Sequence, residues 1–104
     1  MNLDYEIATG LTRLGLQAND RVGTLGWAFD SYWARLAHVR IVAETPAPDV
    51  LTFWSETPES RRSVFDAFRT AGVRVIVAES VPATPAADGW QAIRPGGPYA
   101  YWLW

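Results

Sequence analysis

The sequence predicts an α/β fold: a three-layer, Rossmann-like or flavodoxin-like sandwich with three parallel strands in the order 2-1-3 and a C-terminal antiparallel hairpin. Three observations carry this reading. The stretch from Arg21 to Glu44, RVGTLGWAFDSYWARLAHVRIVAE, runs from a β-branched segment through a glycine-marked turn and an amphipathic helix to a second β-branched segment. A second run of the same kind, VRVIVA at Val73 to Ala78, follows another helix. The chain closes on two short aromatic segments joined by Arg94-Pro95-Gly96-Gly97-Pro98, the signature of a hairpin.

In order along the chain, Leu3, Ile7, Leu11 and Leu14 recur at helical spacing, with Asn2 or Asp4 as cap and Gly15 as the left-handed stop. Val22 to Leu25 is the first strand. In the next helix Phe29, Tyr32, Trp33 and Leu36 form one stripe that must pack against the sheet or a neighbouring helix. Arg40 to Ala43 is the second strand, and its β-branched run suits a position covered on both faces. So short a path between the two strands requires parallel pairing with a right-handed crossover.

Beyond the prolines of TPAP, Val50 to Trp54 predicts a single helical turn. Thr57, Pro58 and Glu59 mark the start of the following helix as N-cap, first helical residue and dipole-compatible acid. Val64, Phe65 and Phe68 are its buried face and Gly72 its stop. Val73 to Ala78 forms the third strand, Val81 to Gly89 an irregular loop, and Trp90–Ile93 and Tyr99–Trp104 the hairpin. The whole of 1–104 reads as one domain, too short for two independent cores.

Composition excludes several chemistries. The net charge is −2, all nine basic residues are arginine, and no basic run offers the footprint that nucleic acid requires. Without lysine there is no Schiff-base or P-loop lysine chemistry, and without cysteine no disulfide, thiolate nucleophile or cysteine-bound metal. His38 is the one histidine; it stands at a helix end, where a cap suits it better than a triad with no G-x-S-x-G elbow. No cofactor and no metal are expected, and the compartment is left open.

In an open parallel sheet a ligand lies beyond the carboxyl ends of the strands. That rule nominates Gly26, Trp27, Glu44, Thr45, Glu79 and Ser80 as a ligand-binding rim. Gly26 with the following helix N-terminus would be an anion site, although VGTLGW lacks the G-x-G-x-x-G pattern and Trp27 is bulky where a phosphate needs close backbone approach. The strand ends repeat as IVAET and IVAES, which predicts Glu44 and Glu79 at one edge, roughly the 5–10 Å apart that a carboxylate pair for glycoside hydrolysis needs. Strand-end glutamates more often accept loop hydrogen bonds or pair with arginine. The terminal YAYWLW offers Tyr99, Tyr101, Trp102 and Trp104 as an interaction surface if that strand is at an edge; otherwise these rings close the core.

The segment LTRLGLQANDRVGTLG is similar in rhythm to the helix-turn-strand near the start of acyl-adenylate-forming enzymes, but none of their nucleotide-binding motifs follows. DSYWARLAHVRIVAE, the proline-rich link, the short FW segment, the helix ending in AGVRVIVAE and the aromatic terminus resemble the soluble C-terminal domain of uncharacterised bacterial multi-pass membrane proteins, some with glycosyltransferase-like membrane portions. The resemblance implies a domain excised from a longer protein, with any transmembrane segments elsewhere in that chain. No stretch of 18 apolar residues occurs in this sequence. The expectation is a non-catalytic accessory or interaction domain whose partner is a protein or the membrane-embedded part of its own chain. The alternative is a domain that binds a nucleotide or sugar phosphate at the rim.

Overall fold

The computed structural model describes residues 3–26, 32–45, 47–83 and 88–103. It is a mixed α/β structure in which α1 (Leu3–Leu14), β1 (Arg21–Leu25), α2 (Tyr32–Ala37), β2 (Arg40–Thr45), α3 (Ala47–Ser55), α4 (Pro58–Thr70), β3 (Val75–Ala78), β4 (Gln91–Ala92) and β5 (Tyr99–Trp102) follow in order. One five-stranded sheet holds all the strands, in the order β2-β1-β3-β5-β4. β1 pairs in parallel with both β2 and β3, whereas β5 pairs antiparallel with β3 and β4. The predicted 2-1-3 order and the antiparallel hairpin beside the third strand are both present. The terminal strand is not at an edge, however: β5 lies between β3 and β4, and β4 takes the edge.

Alternation along the strands divides the core in two. Val22 of β1, Val75 and Val77 of β3 and Ala100 of β5 join Ile7 and Leu11 of α1 and Trp33 and Ala34 of α2. The intervening positions Leu25, Ile76 and Ala78 join Phe53 of α3, Phe68 of α4 and Leu103. Successive strand side chains point to opposite faces, so α1 and α2 serve one face of the sheet and α3 and α4 the other.

Three helices stop by the same device. Leu16 N–H donates to the Leu11 carbonyl at 3.1 Å, Val39 N–H to Ala34 at 3.0 Å and Val73 N–H to Phe68 at 3.0 Å, each a six-to-one Schellman closure. The residue before each closing donor must be left-handed: Gly15 has φ 113°, Gly72 φ 82° and His38 φ 59°. The histidine therefore occupies a position that glycine fills at the other two ends. Its role is backbone geometry, and its carbonyl accepts from Asn19 N–H at 2.7 Å. At the start of α4, Thr57 caps as the sequence predicts, its hydroxyl accepting from Ser60 N–H at 3.2 Å.

Four local expectations are corrected. Tyr32 is 51% exposed and lies off the buried stripe, because α2 turns Trp33, as expected, and Ala34 inward. Phe29, the other aromatic of that stripe, falls outside the described residues. The expected single turn at Val50–Trp54 is the nine-residue α3, since Pro48 sits in the first turn, where its missing N–H costs no hydrogen bond. The third strand is shortened to Val75–Ala78 because Val73 is spent on the α4 closure. The ladder at Trp90–Ile93 is reduced to Gln91–Ala92, and Ile93 enters the core beside α1.

Two contacts fix how closely the layers approach. A β-carbon built at Gly10 would collide with both the side chain and the carbonyl of Ile93, and one at Gly23 would lie 2.5 Å from the Phe68 ring. At the end of the sheet away from the rim, Asp20 accepts from Gln17 N–H at 2.7 Å and from Arg74 at 2.8 Å, while the Arg74 guanidinium lies 5.2 Å from the Trp102 ring centre.

Two stability measurements check this account. His38→Gly removes the side-chain penalty of a left-handed backbone and should raise the unfolding free energy by about 0.5–1 kcal/mol in urea titration. Gly10→Ala meets backbone as well as side chain and should lower it by about 1–3 kcal/mol.

Candidate functional site

The rim is built by the ends of β1, β2 and β3. Gly26 N–H donates to the Thr45 carbonyl at 3.1 Å, carrying the β1–β2 pairing one step past the strand. The Glu79 carboxylate hangs over Gly26, with Oε1 3.3 Å from where a β-carbon on that glycine would stand. Gly26, Thr45 and Glu79 are therefore drawn together. Ser80 is exposed beyond them, and Trp27 falls outside the described residues.

Glu44 is placed differently. The ladder pairs Thr24 with Glu44 on one side and with Val77 on the other, so Glu44 is level with Val77, two residues short of Glu79. At about 3.3 Å per residue the two glutamates are offset by roughly 7 Å along the strands, in addition to their separation across β1. The repeated IVAE strings are thus out of step in space. Ile41 is level with Val75, already one residue out of step with Ile76, and a register shift between Val22 and Gly23, where β2 carries Val42 as an extra residue, adds the second step. The Glu44 Oε2 atom is buried and has no hydrogen-bond partner among the described residues. A shallow depression of about 180 Å³ is lined by Glu44 with Ala43, Thr45, Val64, Ala67 and Phe68. The helix that the anion-site expectation started directly after Gly26 begins, among the described residues, at Tyr32.

The terminal aromatics divide between the faces of the sheet. Trp102 packs beside the α1/α2 core and under Arg74. Tyr101 turns to the α3/α4 side; Tyr99, two residues before it, shares that parity and is half-buried, and Trp104 lies outside the described residues.

Tyr101 belongs to a closed circuit of five rings. It stacks on Phe65 with centroids 4.8 Å apart and planes 7° from parallel. From Tyr101 the circuit passes to Trp90 at 5.3 Å, from Trp90 to Trp54 at 5.4 Å, from Trp54 to Phe53 at 4.9 Å and from Phe53 back to Phe65 at 5.8 Å. Edge-to-face and offset contacts of this kind add about 0.5–1.5 kcal/mol per pair beyond area burial. Four of the five rings keep a partly exposed surface.

Beside the Phe65–Tyr101 stack runs an open groove of about 330 Å³, lined by Pro58, Arg61, Arg62, Phe65, Asp66, Arg69 and Tyr101. Three arginines against one aspartate give it a positive balance on a chain whose net charge is −2. Arg61 donates to the Glu56 carbonyl and Arg69 to Asp66 at 2.9 Å. Arg62 is exposed and makes no ion pair among the described residues. The sequence expectation did not include this groove. Its signal was the spacing Arg61, Arg62, Phe65, Asp66, Arg69, which sets the cations and the ring along neighbouring rows of one helix.

Among the described residues no group of three or more potential metal ligands occurs, and no helix is long and apolar enough to cross a membrane. Comparison with known proteins returned no matching family model, no matching curated protein and no matching solved structure.

The orphaned Glu44 oxygen has a measurable consequence. Glu44→Gln keeps the shape while removing an acceptor oxygen that has no donor among the described residues, and should raise stability by about 1 kcal/mol in thermal unfolding followed by tryptophan fluorescence.

Proposed function

We propose that this chain is a non-catalytic interaction domain, built as a three-layer, flavodoxin-like sandwich, that contacts a protein partner through the α4–β5 face. The observation that carries the reading is the partly exposed aromatic circuit beside an arginine-lined groove. Rigid rings flanked by guanidinium groups are the side chains that most often anchor protein interfaces, because they bury large areas at low entropic cost and arginine adds directional donors. The resemblance of the chain, from Asp30 through its aromatic terminus, to the soluble C-terminal domain of bacterial multi-pass membrane proteins supports an accessory role within a larger membrane protein.

A second reading is favoured by a separate observation, the buried Glu44 Oε2 near the strand rim, unpartnered among the described residues. A small ligand carrying hydroxyl or amino donors, such as the sugar portion of a nucleotide or sugar phosphate, would satisfy that oxygen. The Glu79 carboxylate over Gly26 opposes placing the phosphate itself there.

The two readings separate in one experiment. Peptides selected from a display library against the folded domain, and a library of nucleotides and sugar phosphates, are each titrated into ¹⁵N-labelled protein. Interaction through α4–β5 predicts peptide-induced amide shifts centred on Phe65, Trp90 and Tyr101. Shifts confined to Gly26, Thr45 and Glu79, and induced by the small molecules alone, would replace the first reading with the second.

A further inference from the structure

Resting on the interaction reading above, we infer that the α4 groove receives an extended acidic peptide, with one carboxylate on Arg61 and Arg62, a second on Arg69, and an apolar or aromatic residue between them on the Phe65–Tyr101 stack. The order of charges along the helix carries the argument. Arg61 and Arg62 stand at one end of the groove and Arg69 at the other, with Asp66 between them. At 1.5 Å per residue the two positive ends are about 10–12 Å apart along the helix axis.

A single compact anion cannot use both ends, and one centred in the groove would face the Asp66 carboxylate. An extended chain fits the spacing. Residues i, i+2 and i+4 of a strand share a face and span about 13 Å, so acid, ring and acid fall opposite cation, ring and cation, with the flexible arginine stems taking up the difference. Arg62, exposed and unpaired among the described residues, is the donor free to make a forked contact with a carboxylate. A long polyanion is disfavoured by Asp66 and by the net charge of −2 on the whole chain, which repels it outside the groove.

The test uses the folded domain and a fluorescein-labelled peptide Gly-Glu-Ser-Tyr-Ser-Glu-Gly, read by fluorescence polarisation at low salt. The same peptide with Lys for Glu, a labelled oligo-dT and vesicles containing phosphatidylserine run beside it. The acidic peptide should bind, the lysine peptide should not, and Arg62→Glu should weaken the complex about tenfold. Asp66→Asn should tighten it several-fold, a gain that misfolding cannot mimic. Equal binding of the acidic and lysine peptides, indifference to both substitutions, or tighter Arg62-dependent binding of oligo-dT or vesicles would overturn the inference. If display-selected peptides of another composition still shift Phe65 and Tyr101 while the acidic probe fails, the interaction reading stands and the acidic-peptide inference alone falls.

Discussion

The structure depends on the burial of β3 from every side. Val75, Ile76, Val77 and Ala78 are each at most 1% exposed, with β1 paired on one edge and β5 on the other. A strand with both edges paired has all its backbone groups satisfied, which lets both of its faces be apolar and obliges other elements to cover them. That requirement explains why the helices divide, with α1 and α2 packing on Val75 and Val77, and α3 and α4 on Ile76 and Ala78. It also explains the placement of the hairpin. The C-terminal strand returns to the open edge of β3, and Leu103 N–H reaches back to the Arg74 carbonyl at 2.9 Å.

The two ends of the sheet differ in what they leave available. Where the strands begin, Asp20, Arg74 and Trp102 close the structure by a charged hydrogen bond and a cation–ring contact. Where they end, Gly26, Glu79 and the buried Glu44 oxygen form a rim whose polar groups are incompletely matched. A third region lies on the outer side of α4. There the need to cover Ile76 and Leu103 draws aromatic residues from α3, α4, β5 and the loop before β4 into one circuit. The circuit is wider than the core it covers, so several rings reach solvent, and the arginines of α4 stand where they do. The proposed binding surface is thus the outer margin of a packing solution.

Much of this could be read locally. The helical spacing of Ile7 and Leu11, the Thr57-Pro58 start, the stops at Gly15 and Gly72, and the runs RIVA and VIVA specify elements through interactions within a few residues. Their order nearly specifies the sheet, because a strand, a helix and a strand in so few residues can pair only in parallel. Elements whose signals competed were read less well. The stripe read through Tyr32 and Trp33 was one residue too wide: Trp33 is buried against the α1 side of the core, whereas Tyr32 is exposed. His38 stands at the end of α2 as the cap it was read to be, and its positive φ adds that it closes the helix through a left-handed backbone.

By itself, then, the sequence determined the class of fold, the order 2-1-3 with its added hairpin, and the residues gathered at the strand ends, because hydrophobic period, caps and short connections are local constraints. The tertiary structure alone decided which of those residues meet. A pairing register one residue out of step, with a second step added by the extra residue at Val42, set Glu44 two residues from the level of Glu79, although their sequences repeat. Packing across α3, α4, β5 and the segment before β4 closed five rings into a circuit and put Tyr101 against Phe65, a pairing between positions 36 residues apart in the chain. Such contacts depend on volumes and on ladder register, which no short window of sequence contains.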